Sequence, residues 1–197
     1  MTASTSRPAV GAHAAPPLRT RPALDAAKVV RLMLAFFGDS EVPLARCVRP
    51  DELPQPQRRL LAHAGHMTEV LERMHGGSIG VRPYRVRREG DIYGRRIDLF
   101  AAGVSGPVMT GIMIFNLARV MPEVRAEIVA AQAPLGEILI RRRILRRVRP
   151  DAFLEFDARD PLAARLGRNG TQPAYGRLAT IDCDRQPAVD LLEIVRP

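Results

Sequence analysis

Four short segments in the last two thirds of the chain carry the residue types that could do chemistry. They are His66-Met67-Thr68, Tyr93-Gly94-Arg95-Arg96, Pro134-Leu135-Gly136 and Leu192-Glu193-Ile194. Together they supply arginines, a glutamate and a helix start opened by proline. Guanidinium groups and free helix amides can hold a carboxylate, and a glutamate in apolar surroundings can handle a proton. The combination predicts a pocket that holds a small carboxylic acid and moves a proton.

The charged residues of two segments fall within predicted β-strands. Neighbours on a strand point to opposite faces, so one of Arg95 and Arg96 should face the core and the other solvent. A buried guanidinium needs a carboxylate or a ligand, although both arginines could instead be exposed partners of acidic residues. Glu193 lies in an apolar strand. There it is either paired or protonated and suited to acid–base chemistry, or it faces water at a sheet edge.

The third segment predicts a helix that begins at a proline. The amides of Leu135, Gly136 and Glu137 then lack partners within the helix and lie at the positive end of its dipole. Such amides can receive a carboxylate, and Gly136 would let a ligand approach the backbone closely. The same residues are also compatible with a simple turn between two helices.

The chain is strongly basic. It has 197 residues, a net charge of +9 and a single lysine, Lys28. This charge favours an anionic partner, either nucleic acid or a small acid. Because helix-turn-helix, zinc-finger and base-stacking signatures are missing from the sequence, we expect a small acid and no nucleic acid. The densest basic run, 141–149, is expected to be a solvated face, or to turn an arginine or two towards a substrate carboxylate.

The cysteines and histidines give no sign of a disulfide framework or a metal site. Cys47 and Cys183 are far apart and form no CxxC pair, which favours a reduced, cytoplasmic protein. His63 and His66 share a predicted helix, but the other ligands of a metal site are missing, so we expect no metal. The sequence has no apolar run of about 18 residues, so no membrane span is expected.

The order of predicted elements indicates one domain behind a tail. Residues 1–24 are expected to be a disordered tail, and 25–197 a single domain. Asp25 and Thr68 are predicted N-caps. Helical spacing predicts helices over 25–37, 56–64, 67–74, 122–133, 134–140 and 160–166. Alternation predicts strands over 79–86, 92–101, 107–117, 144–156, 175–183 and 188–195. This pattern is typical of an α+β fold with a mainly antiparallel, six-stranded sheet.

From His66 to the C-terminus, about two thirds of the chain, the order of motifs resembles the chorismate pyruvate-lyase family. Members of that family convert chorismate to 4-hydroxybenzoate and pyruvate. The matching motifs are Met67-Thr68, the aromatic-x-Arg strand that contains Arg95, Pro107-Val108, Pro134-Leu135-Gly136, Tyr175-Gly176-Arg177 and the Leu-x-Glu that ends at Glu193. One departure is Arg96, which stands where the bacterial enzymes carry an acidic residue.

The resemblance implies a fold, a reaction and a set of site residues. The fold would be a six-stranded antiparallel sheet with helices over one face and flaps that enclose a small pocket. Arg95 and Glu193 would be catalytic, with Arg95 on the ring carboxylate of chorismate and Glu193 at the ring hydroxyl. The reaction would be a carbon–oxygen cleavage that needs no cofactor. The substrate-binding residues would be Met67, Thr68, Leu135, Gly136 and, for the enolpyruvyl carboxylate, Arg177.

Two other functions are compatible with the sequence. The same fold serves as an effector-sensing domain in bacterial transcription regulators, where it binds a small acid without converting it. The segment before His66 has few predicted helices, many prolines and no helix-turn-helix signature, which argues against that alternative. A related lyase could release a different hydroxybenzoate. The low aromatic content, 5%, offers no obvious interface, so we expect a monomer.

Overall fold

The protein folds as an α+β domain built on one antiparallel sheet, as the sequence predicts. The computed structural model describes residues 25–166 and 172–196. The predicted tail over 1–24 and most of the predicted loop at 167–173 lie outside these ranges. In the described ranges, no helix is both long and apolar enough to cross a membrane.

Seven strands form the sheet, one more than the sequence predicts. They are β1 Ala45–Val48, β2 Ile79–Glu89, β3 Ile92–Ala101, β4 Met109–Asn116, β5 Arg146–Phe156, β6 Ala174–Cys183 and β7 Gln186–Val195. Their spatial order is β1-β5-β6-β7-β4-β3-β2, and each neighbouring pair is antiparallel. The added strand, β1, is only four residues long and pairs with the distant β5. So short a segment shows no clear alternation, and the partner that makes it a strand lies far along the chain.

Within residues 25–166 and 172–196, six α-helices cover the sheet. They are α1 Ala26–Phe36, α2 Gln57–Leu61, α3 Met67–His75, α4 Pro122–Ala130, α5 Leu135–Arg141 and α6 Pro161–Ala164, with a 3-10 turn at Leu117–Arg119. The cores show that α2 to α5 pack on one face, whereas α1 and α6 pack on the other. The predicted helices over one face are present, and a smaller layer of two helices, α1 and α6, covers the other face of the sheet. Central strands such as β7 are buried on both sides, so both faces need a cover.

A side-chain cap marks the start of α1, whereas α3 begins without one. The side chain of Asp25 accepts a hydrogen bond from the amide of Lys28 at 3.0 Å, so the predicted N-cap of α1 is confirmed. The N-cap of α3 is His66 rather than Thr68, which lies inside the first turn. The predicted helix over 67–74 begins at the observed first residue, but its cap was placed two residues too late, because threonine is a common cap and histidine is not.

Gly94 fixes how α1 sits on the sheet. A Cβ atom at this position would lie 2.5 Å from the ring of Phe36, closer than any real contact. The aromatic end of α1 therefore packs directly on the backbone of β3. This contact lies on the face opposite the neighbouring Arg95, because adjacent strand residues point to opposite sides.

Candidate functional site

A small cavity of about 50 Å³ lies between the sheet and the starts of α3 and α5. A space that holds one water needs roughly 10–15 Å³, so this cavity accepts a few atoms of a ligand without rearrangement. The structure brings all the sequence-predicted site residues to its wall: Met67, Thr68, Arg95, Leu135, Gly136, Arg177 and Glu193. Their individual roles stay predictions.

Strand register explains why the charged residues converge. Glu193 on β7 pairs with Arg177 on β6 and with Gly111 on β4. Gly111 in turn pairs with Ile97 on β3, two residues after Arg95. Residues opposite each other on neighbouring strands point to the same face, so the three charged side chains share one side of the sheet.

Arg95 is buried, and the part of the chain that the structure describes places no carboxylate against it. Its exposed fraction is 0%, and Nη2 makes a long contact to the carbonyl oxygen of Ala133 at 3.5 Å. Within the described ranges, its Nε and Nη1 groups have no hydrogen-bond acceptor. Burial lowers the pKa of Arg95 from its ordinary value, because a charge is costly away from water. This side chain therefore lacks the anion that would stabilise it.

A second unpartnered polar group lies beside Arg95 on the same strand. Tyr93 is buried, and its hydroxyl has no hydrogen-bond partner in the described part of the chain. Burial raises the pKa of Tyr93, and the positive charge of Arg95 offsets part of that rise. No role for Tyr93 is predicted from the sequence, because an aromatic residue in an apolar strand is usually core.

Arg177 and Glu193 form a buried ion pair. Arg177 is 0% exposed and donates from Nε to Oε2 of Glu193 at 2.6 Å. Its Nη1 also donates to the carbonyl oxygens of Leu61 and His63 at 3.2 and 2.7 Å, beyond the end of α2. The protein itself thus supplies acceptors for Arg177, in contrast to Arg95.

His66 is a cavity residue to which sequence reasoning assigned no function. Arg146 donates from Nε to Nε2 of His66 at 2.6 Å. Burial, followed by the positive charge of Arg146, lowers the pKa of His66 from its ordinary value. Arg146 belongs to the basic run that was expected to be a solvated face or to turn an arginine or two towards a substrate carboxylate, and it contacts the cavity residue His66. The two residues are 80 positions apart, so only the fold brings them together.

The rest of the basic run behaves as a solvated face. Arg141 forms ion pairs with Glu127 and Glu137, and Arg142 also contacts Glu127. These side chains are substantially exposed, so each pair contributes little to stability. Of the run, Arg146 is the member that reaches His66 at the cavity wall.

The starts of α3 and α5 meet at the cavity. Neither helix has a side-chain hydrogen bond at its N-cap, and the first turn of each lines the cavity. A Cβ atom added to Gly136 would lie 3.1 Å from Nδ1 of His66. The close approach expected at Gly136 is therefore made by His66. Free amides of two helix starts give this wall a positive potential.

Arg95, and not Arg96, lines the cavity. Arg96 lies on the opposite side of the sheet from Arg95 and forms an ion pair with Asp39. Its exposed fraction is 8%, so the prediction that it faces solvent is wrong. The guanidinium also stands over the rings of Phe37 and Tyr84, with centroid distances of 5.8 and 5.7 Å. Packing of α1 on this face explains the burial.

Titratable groups in the described ranges form no cluster of three or more that could hold a metal ion. Both cysteines are free thiols, with Cys47 exposed and Cys183 buried. Burial raises the pKa of Cys183 to about 11, so this thiol is unreactive at neutral pH. The chemistry of the cavity therefore rests on its arginines, its glutamate, its histidine and its helix starts.

The fold and the cavity define the class of protein: an antiparallel α+β domain that encloses a small cavity lined by buried arginines. Comparison with protein-family models gives no match, and comparison with curated proteins gives none. Comparison with solved structures finds similar folds.

The similar structures include PhnF from Mycobacterium smegmatis, at 16% identity over 67% of this chain and 64% of that one, with a TM-score of 0.48. The effector domain of PhnF alone matches at 16% identity, 67% of this chain, 88% of that one and a TM-score of 0.49. The C-terminal domain of the histidine utilization repressor from Pseudomonas syringae pv. tomato matches at 15% identity over 59% of this chain and 90% of that one, with a TM-score of 0.42. The chain thus spans less than two thirds of full PhnF. At these values the likeness concerns the fold alone.

These comparisons contradict the enzyme prediction. The similar structures are an effector domain, the protein that contains it and a domain of a repressor, and none of the three is a chorismate lyase. The prediction of a carbon–oxygen lyase in aromatic biosynthesis is therefore wrong, and the resemblance holds at the level of the fold. The cytoplasmic location, the monomeric state and the absence of nucleic-acid contact stay predictions.

Proposed function

We propose that this domain binds a small organic acid in the cavity and does not convert it, as an effector-binding domain would. The observation that carries the proposal is Arg95, a fully buried guanidinium with two nitrogens that find no acceptor among the described residues. A guanidinium removed from water and left unpaired costs several kcal/mol. A carboxylate placed against it would supply the acceptors and the counter-charge that the described residues do not provide.

The surroundings of Arg95 favour an anion over other ligands. The first turns of α3 and α5, neither of which has a side-chain cap, line the same cavity, and the start of a helix favours negative charge nearby. The remaining wall is mostly aliphatic, with Ile97, Met109 and Leu191 among its residues. A small acid with an apolar body fits both features, since few polar groups and an apolar lining are typical of ligand sites.

Glu193 is better suited to holding a structure than to transferring a proton. Its carboxylate is held by Arg177 at 2.6 Å, and that guanidinium is itself anchored to the carbonyl oxygens of Leu61 and His63. A general acid or base must be free to reach the proton that it moves. The ion pair with Arg177 therefore supports binding without turnover, and Arg177 acts in this proposal as the residue that positions Glu193.

The proposal is tested by thermal unfolding of the full chain with benzoate, 4-hydroxybenzoate and chorismate. A ligand that binds only the folded state raises the melting temperature by an amount that grows with the logarithm of its concentration relative to Kd. The matched variants are Arg95→Met and Arg96→Met, which remove neighbouring buried guanidinium groups on opposite faces of one strand.

We expect at least one acid to raise the melting temperature of the wild type and of Arg96→Met, but not of Arg95→Met. The bound acid should be recovered unchanged by chromatography. No stabilisation by any of the three acids, or equal stabilisation of Arg95→Met, would contradict the proposal.

A further inference from the structure

His66 at the cavity wall and its hydrogen-bond partner Arg146 have no part in the proposed binding role. Arg146, at the start of β5, donates from Nε to Nε2 of His66 at 2.6 Å, where His66 caps α3. A guanidinium is always a donor, so Nε2 of His66 must be the acceptor and carries no proton. The ring is therefore neutral and holds its one proton on Nδ1.

Charged groups from several elements face this ring. Arg146 on β5 and Arg177 on β6 oppose its protonation, while Glu69 on α3 and Glu193 on β7 favour it. Glu193 is already paired with Arg177, so its effect is largely cancelled. Gly136 of α5 meets the ring with its backbone. Burial and Arg146 are the largest influences, and both favour the neutral ring.

An acid bound in the cavity would change this balance. His66 and Arg95 line the same space, so an anion beside Arg95 would place a negative charge near the imidazole. An opposite charge within about 4–6 Å stabilises the charged form of a titratable group. A protonated Nε2 can no longer accept from Arg146, and two cations would then face each other. Arg146 is only partly buried, so its side chain has a route to solvent.

We propose that an anion in the cavity draws one proton onto His66 and thereby releases Arg146 from the start of α3. The inference rests on the proposed function, because it needs an anion in the cavity. No covalent bond changes: the proton comes from solvent and adds to Nε2, and the hydrogen bond from Arg146 is replaced by hydration.

The released side chain connects the site to the segment after α5. Arg146 also donates from Nη1 to the carbonyl oxygen of Ile144 at 3.4 Å. Arg143 in the same segment has a φ of 54°, a conformation that non-glycine residues rarely adopt. Loss of the contact with His66 removes a tie between this segment and α3. Binding of an acid in the cavity would thus change the contacts of the segment that connects α5 to β5.

Proton uptake predicts a definite pH dependence. Between the pH at which His66 titrates in the free protein and the higher pH at which it titrates in the complex, each bound molecule of acid takes up close to one proton, so Kd should weaken by up to about tenfold per pH unit. Protonation of the acid itself would weaken binding at low pH, which is the opposite sign. The direction of the change therefore identifies the group.

The experiment is calorimetric titration of the full chain with benzoate between pH 6 and 8.5, in buffers of different ionisation enthalpy. The variation of the heat with buffer gives the number of protons taken up. We expect uptake approaching one proton and a Kd that weakens three- to tenfold per pH unit above pH 7. His66→Gln should abolish both effects, whereas His75→Gln, at the far end of α3, should keep both.

An NMR titration of the wild type provides a measurement that does not depend on a variant that folds. The imidazole signal of His66 should titrate at least one pH unit higher with saturating benzoate than without it. Binding with no proton uptake, or an unchanged His66 titration, would overturn this inference and leave the proposed function intact. A folded His66→Gln variant that still takes up a proton would also overturn it. No binding of benzoate, 4-hydroxybenzoate or chorismate at any pH would overturn both.

Discussion

At the scale of single residues, Arg95 and Arg96 show how one strand places two like charges in opposite circumstances. Arg96 meets Asp39, whereas the described residues offer Arg95 no carboxylate. Both are buried. Stability alone would favour an apolar residue at position 95, because an unpaired buried charge is costly. A residue that costs stability and lies in a cavity is best explained by a ligand.

Arg95→Met should make the ligand-free protein more stable. Replacing an unpaired buried guanidinium by an apolar side chain of similar length should raise the free energy of unfolding by about 1–3 kcal/mol. Urea denaturation measures this change. Arg96→Met is the control and should lower stability, because Asp39 loses one of its partners. A less stable Arg95→Met protein would show that Arg95 is satisfied within the fold.

Tyr93→Phe tests the second unpartnered group. The buried hydroxyl makes no hydrogen bond in the described part of the chain, so its removal should leave stability unchanged or raise it by up to about 1 kcal/mol. Urea denaturation of the ligand-free variant measures this change in stability. A loss of more than about 1 kcal/mol would mean that the hydroxyl has a partner in solution, such as an ordered water.

At the scale of elements, the pairing of β4 with β7 holds the site together. Gly111 lies opposite Glu193, and a Cβ atom there would lie 2.5 Å from the backbone oxygen of Leu192. Backbone cannot swing aside as a side chain can. The two strands therefore approach closely only because position 111 lacks a side chain.

Gly111→Ala should destabilise the protein by about 1–3 kcal/mol, the usual cost of forcing extra volume into a packed core. It should also weaken acid binding, because β7 carries Glu193 and must shift. Gly80→Ala is the matched control on the edge strand β2, where a Cβ atom would meet its nearest neighbour at an ordinary 3.9 Å. Equal stability of the two variants, measured by thermal unfolding, would contradict this account.

Much of the element pattern could be predicted from the sequence, and the failures have physical causes. Alternation identified the meander of β2, β3 and β4 because its turns are short and its strands long. β1 was missed because its pairing partner, β5, lies about a hundred residues away. Alternation also predicted that one of Arg95 and Arg96 points towards the core. The choice between them depended on register with β4 and on α1 covering the second face, which are tertiary facts.

At the scale of the whole molecule, the predicted site residues converged because their strands are neighbours in the sheet. What the sequence could not provide is the partner of each charge. The pairs Arg177–Glu193 and Arg146–His66 join residues that are 16 and 80 positions apart. In these pairs Arg177 and Arg146 each have a partner side chain within the protein, whereas two nitrogens of Arg95 have no partner among the described residues. The motif order indicated the fold correctly and the activity wrongly, since a fold supports more than one function.

The ligand-free protein should lose stability as the pH falls below about 6.5, the ordinary pKa of histidine. Burial lowers the pKa of both His63 and His66 in the folded state. Below about 6.5 the unfolded chain therefore binds more protons than the folded one, and the free energy of unfolding falls as the pH decreases. Denaturation curves at pH 7, 6 and 5 measure this slope. The double variant His63→Gln, His66→Gln should show a shallower slope, and an unchanged slope would assign the effect to other groups.

The most direct test of the central claim is a proton–nitrogen NMR spectrum of the arginine Nε–H groups, recorded with and without a small acid. The signal absent from Arg95→Met identifies Arg95 in the wild type. If an acid occupies the acceptors missing from this guanidinium, that signal should shift downfield and exchange more slowly with solvent when 4-hydroxybenzoate or benzoate is added. An Arg95 signal that stays unchanged while signals elsewhere respond to the acid would contradict the account.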